Sequence, residues 1–129
     1  MSSPSAQQDP GVQYLPAKEM EAAFVKGGTV AQGATYKVMA GQRTAAGEPE
    51  VHDLDTDVFR IMSGSATFVT GGKVVGARTI EPGEVRGTSI EGGVARELAA
   101  GDVIVIPKGL PHWFKEVKGR IEYFVVKAR

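Results

Sequence analysis

The stretch GDVIVIPKGLPHWFKE, residues 101–116, decides how this chain is to be read. A Gly-Asp pair turns the backbone into the apolar run Val103 to Ile106, and Pro107-Lys108-Gly109 makes a second tight turn before His112 opens another strand. Strand alternation places His112, Phe114 and Glu116 on one face and Trp113, Lys115 and Val117 on the other. Short strands closed by Gly or Pro recur outward from here: Arg96 to Leu98 before it, Ile121 to Lys127 after it, and Thr35 to Ala40 far upstream. Val58 to Met62 and Ala66 to Thr70 flank Ser63-Gly64-Ser65, which reads as a hairpin turn. The segment from Gly76 to Gly93 reads as a long loop with little strand. Ala17 to Lys26 is the single helical stretch, made mostly of good helix formers and stopped by Gly27-Gly28. Such punctuation predicts an all-β sandwich or barrel with a short N-terminal helix.

The chain has 129 residues, a single domain's length, with 42% hydrophobic and 23% charged residues. Residues 1–12 read as a flexible tail and 13–129 as one barrel domain. Fifteen basic residues balance fifteen acidic ones, which argues against nucleic acid as a partner. There are no cysteines, so disulfides, thiolate metal sites and cysteine nucleophiles are excluded. The longest apolar runs are four residues, against the roughly 20 that a spanning helix needs. No membrane partner is therefore expected. The polar opening residues lack a signal peptide's apolar stretch, which leaves the compartment open between cytoplasm and a secreted, processed form.

The chain has only two histidines. His112 lies in the stretch quoted above, and His52 lies in an acidic run with Glu48, Glu50, Asp53, Asp55 and Asp57. Glu50 and His52 share a strand face by the two-residue period. A short loop from Asp53 to Thr56 would return Asp57 across from His52. Two carboxylates, two imidazoles and several apolar groups can thus converge inside one small barrel.

These two segments resemble the paired motifs of the cupin superfamily. Its second motif runs glycine, five residues, Pro-x-Gly, two residues, histidine, three residues, asparagine. Gly101, Pro107, Gly109 and His112 match it, and Glu116 stands at the asparagine position. In the first motif His52 takes the second histidine position, Asp57 the glutamate position and Gly64 the closing glycine, while Glu50 stands where the first histidine belongs. The resemblance implies a double-stranded β-helix, or jelly-roll, barrel with a divalent transition metal at its centre. Its ligands would be Glu50, His52, Asp57 and His112. Two imidazoles with carboxylates suit manganese, iron or zinc, and the second carboxylate tilts the set toward manganese or iron. Tyr36, Phe59, Ile61 and Phe114 are the candidate lining of a substrate pocket, and Glu116 the candidate general base. The expected function is a metal-dependent enzyme on a small organic molecule, of oxygenase, isomerase or lyase type. The alternative is a non-catalytic module that binds a sugar or organic acid, with or without metal. Family habit also implies a homodimer, for which an outward-facing Trp113 offers a contact.

Overall fold

The computed structural model describes residues 11–129, so all but the last two residues of the expected tail lie outside the described residues. Helix α1 (Ala17–Lys26) buries Phe24 and packs against the sheet at β2. Eleven strands follow: β1 (Gly28–Gln32), β2 (Tyr36–Arg43), β3 (Glu50–His52), β4 (Thr56–Thr70), β5 (Lys73–Val75), β6 (Arg78–Glu81), β7 (Glu84–Arg86), β8 (Ser89–Glu91), β9 (Val94–Ala99), β10 (Val103–Ile106) and β11 (His112–Ala128). Nine of them form one curled antiparallel sheet, and β5 with β8 forms a separate pair. This is the all-β architecture that the turn spacing predicts, in the jelly-roll form that the resemblance implies. No helix among the described residues is long and apolar enough to cross a membrane.

Two long strands organise the sheet. The first half of β4 pairs with β10 and its second half with β9. Strand β11 runs beside β4 over nearly its whole length and meets β2 on its other side from Ile121 to Ala128. Its first residue, His112, lies opposite both Thr70 of β4 and Glu50 of β3. The sheet therefore folds over its own middle. Phe59, Ile61, Ala66, Phe68, Leu98, Ile106, Phe114, Ile121 and Val125 meet in the enclosed core. Phe59 contacts Phe68 and Phe114 edge-on, with ring centroids 5.7 and 5.9 Å apart, a favoured aromatic geometry.

Three local readings of the sequence change in this context. Ser63-Gly64-Ser65 is not a hairpin. Strand β4 continues through it and meets a register shift in β11 between Lys118 and Glu122. Gly64 has φ +81°, and a Cβ there would lie 1.9 Å from the Arg120 carbonyl oxygen, so the close crossing of β4 and β11 requires glycine. Residues 76–93 are not a loop either. Pro82-Gly83 closes a tight β6–β7 turn, and β7 docks on β3 with His52 opposite Glu84. A second register shift in β11, between Phe114 and Glu116, breaks the expected alternation. Val117 then packs against the core, and Glu116 is exposed.

Candidate metal centre

Strands β3, β4 and β11 bring their polar residues together in the lining of a cavity of about 180 Å³. His52, Asp57 and His112 are buried at 4%, 1% and 5% exposure. Three different elements supply them because each strand alternates: Glu50 and His52 face inward two residues apart on β3, Asp57 opens the inward series Asp57, Phe59, Ile61 of β4, and His112 precedes Phe114 on β11. Glu50, His52 and His112 offer donor atoms that all lie within 4.8 Å of one another.

Each imidazole is aimed by its other nitrogen. His52 Nδ1 lies 2.7 and 2.9 Å from the two Glu84 carboxylate oxygens, and His112 Nδ1 lies 3.3 Å from the Leu110 carbonyl oxygen. Both Nε2 atoms therefore turn toward the cavity, where Asp57 Oδ2 lies 3.3 Å from that of His52 and 3.5 Å from that of His112. A ligating histidine commonly has such a partner behind it, and the arrangement fits a divalent metal held by Glu50, His52 and His112. Asp57, beside both imidazoles, is also paired with a cation. Lys127 Nζ lies 3.0 Å from each of its oxygens and 3.1 Å from His52 Nε2.

Burial and charge pull the titrating groups in different directions. Burial pushes His52 down, but its contact with Asp57 and the nearby Glu84 charge outweigh burial and the opposing Lys127 ammonium, so its affinity for a proton is raised. Burial, and then the charge of His52, hold His112 below its ordinary value. Burial would raise Asp57, yet His52 and Lys127 overcome it and keep the carboxyl below its usual range.

Of the expected pocket residues, Phe59 and Phe114 line the cavity. Ile61 is fully buried in the core instead. Tyr36 is exposed at the far end of β2, opposite Ala128, where its hydroxyl accepts a hydrogen bond from Gln13 Nε2 at 3.1 Å. Glu116 does not reach the cavity, since the shift after Phe114 turns it to solvent. Trp113 is half-buried, and its indole N–H donates to the Gly47 carbonyl oxygen at 2.7 Å, so it serves the fold of its own chain. Arg43, Tyr123 and Lys127 line the cavity and were not anticipated. The alternation of Tyr123, Val125 and Lys127 carried the signal for two of them. The Arg43 guanidinium lies over the Phe114 ring, 5.3 Å from its centroid, and its buried Nε has no hydrogen-bond partner among the described residues. A Cβ at Gly47 would lie 2.8 Å from Arg43 Nη1, so a side chain there would make this guanidinium shift.

A curled jelly-roll that brings two histidines to one cavity defines the class of fold. Residues 29–128 match the Cupin family, and the chain belongs to it. Among solved structures it is similar to a Bacillus halodurans protein at 12% identity and TM-score 0.66, covering 92% of this chain and 83% of that one. It is also similar to a putative mannose-6-phosphate isomerase from Ralstonia eutropha (13% identity, TM-score 0.58, 79% and 82% covered). A DMSP lyase from Ruegeria pomeroyi is similar over 75% of this chain and 40% of its own, at 17% identity and TM-score 0.53. These likenesses show the fold. None of the curated proteins matches the sequence.

Proposed function

We propose that this cupin is a metal-dependent protein acting on a small, oxygen-bearing organic molecule, with Glu50, His52 and His112 as the metal ligands. The observation that carries the reading is the convergence of the three donor groups, with each imidazole aimed by a separate partner. A manganese, iron or zinc ion held there would supply Lewis acidity toward a ligand oxygen. The chain's own groups do the rest. Met39, Phe59, Phe114 and Val125 keep water from one side of the cavity, while Arg43 and Tyr123 offer N–H and O–H donors to orient a ligand. At about 180 Å³ the space suits a molecule smaller than the occupants of typical pockets of roughly 300–1,000 Å³. That similar folds include a lyase and a putative isomerase supports chemistry of that general kind.

A second reading, a binding module without turnover, gains from the outward position of Glu116, which leaves the expected base outside the cavity. Elemental analysis of protein purified without tag or added metal tests the first point. Near-stoichiometric transition metal is expected in the wild type, with loss of tight binding in His112→Ala. Equal metal content in both proteins would overturn the site. For a metal-loaded protein, NMR of small hydroxy acids and sugars then separates turnover from binding. New product signals support an enzyme, and line broadening alone supports the binding module.

We also take the chain to be a homodimer. With Trp113 committed to Gly47, the exposed Val103 and Val105 on the outer face of β10 become the better contact. Among the described residues β10 pairs only with β4, so its other edge is open.

A further inference from the structure

We propose that Lys127 is a built-in cation of this centre: its ammonium competes with an entering metal for His52 and keeps Asp57 out of the donor set. The inference rests on the metal-binding reading above. Lys127 is not a surface lysine that has folded inward by chance. It follows Tyr123 and Val125 on the inward face of β11 and lies directly opposite Asp57 in the β4 register. Its side chain is 17% exposed and that of Asp57 only 2%. The backbone therefore places this charge pair beside the two histidines.

The competition follows from donor and acceptor counting. An ammonium carries only N–H donors, so its 3.1 Å contact with His52 Nε2 directs a hydrogen toward that nitrogen's lone pair. Glu84 holds Nδ1, which makes Nε2 the nitrogen left to bind a metal. One lone pair cannot serve both the ammonium and a metal. Metal entry must then displace Lys127 from His52. It need not displace it from Asp57, whose two oxygens both accept from Nζ at 3.0 Å. Stripping the ammonium from that buried carboxylate would leave an uncompensated charge, which is strongly unfavourable. Asp57 stays with Lys127, and the metal is left with two imidazole nitrogens and the Glu50 carboxylate.

This changes which metals the site selects. With Asp57 counted as a ligand, the set favours hard, oxygen-seeking ions such as manganese. With Asp57 withdrawn it favours ions that take imidazole well, zinc above manganese. Lys127 is thus a selectivity residue that touches no part of the trio except His52 Nε2.

Competition titrations with Zn²⁺ and Mn²⁺ on wild type, Lys127→Met and Lys127→Arg test this. In Lys127→Met, which restores the His52 lone pair and frees Asp57, Mn²⁺ affinity should rise by about tenfold or more, a difference of ~1.4 kcal/mol. Zn²⁺ affinity should rise less. Lys127→Arg, which keeps the charge, should bind neither metal more tightly than wild type. If Lys127→Met does not fold by circular dichroism, Lys127→Gln is read in the same way. Wild-type binding with unchanged affinities in a folded, uncharged variant would overturn the role of Lys127 and leave the metal site standing. Tighter binding in Lys127→Arg would also overturn it. No binding by any of the proteins would overturn the metal reading, and this inference with it.

Discussion

Removing the Glu84 carboxylate isolates what imidazole orientation contributes to the centre. Glu84 sits on β7 opposite His52, with its oxygens 2.7 and 2.9 Å from Nδ1. In Glu84→Ala the ring loses the partner that fixes its plane and its tautomer. Partners of this kind typically contribute about 10- to 100-fold in metal affinity, or ~1.4–2.8 kcal/mol. The upper half of that range is expected, because Glu84 also accepts a bond from Arg86 Nη2 at 3.1 Å. Once released, Arg86 is free to close on Glu50, now 3.5 Å away, and to draw a second metal ligand aside. Glu84→Gln keeps a carbonyl oxygen for Nδ1–H but no charge, so its loss should sit near the lower end. Competition against a chromophoric zinc chelator measures both variants, and near-ultraviolet circular dichroism checks that the barrel is intact. Wild-type affinity in a folded Glu84→Ala protein would refute the idea that this carboxylate orients a metal ligand.

Three further outcomes are expected. Metal affinity should fall as pH drops, since both imidazoles must be unprotonated to bind. His52 is raised above its ordinary 6.5, so competition from protons should set in above that value; a flat titration series from pH 8 to pH 6 would contradict it. Gly64→Ala should cost more than ~2 kcal/mol in urea unfolding, because the left-handed backbone alone costs about 1–2 and the Arg120 carbonyl stands in the way. An unchanged midpoint would mean that β4 and β11 cross less closely there. Light scattering should give a mass near twice 13.6 kDa, and Val105→Lys should shift it toward the single-chain value. A single-chain mass for the wild type rejects the dimer.

Much of the barrel was legible because its turns are chemically marked. Gly101-Asp102 and Pro107-Lys108-Gly109 bracket β10 as the sequence implies, and His112 follows where the alternation places it. Glu50 and His52 face the same way because a short strand needs no more than its two-residue period. What escaped the sequence depends on partners remote in the chain. Ser63-Gly64-Ser65 has the same local chemistry whether the strand reverses or bulges, and only the β11 backbone lying across it decides. Glu116 lies just past the second bulge, where one irregular step ends the alternation used to place it, whereas Trp113 precedes the bulge and is half-buried because its indole meets the remote Gly47 carbonyl. Glu84 was hidden by treating residues 76–93 as loop, although Pro82-Gly83 between Ile80 and Val85 is a hairpin signal. Lys127 stands among basic residues that by sequence read as a solvated face, although its phase with Val125 points inward.

Every wall of the cavity depends on β11, the strand that touches β2, β3 and β4 at once. That topology has a kinetic meaning. Arg43, His52 and Asp57 come from one stretch of the chain and His112 and Lys127 from the last strand, so no local segment assembles more than a fragment of the centre. Contacts of such wide separation form slowly, and the donor set is complete only after β11 has docked between β3 and β4. A bound metal or ligand should therefore slow unfolding and leave the refolding rate nearly unchanged, the pattern of an interaction that forms after the rate-limiting step.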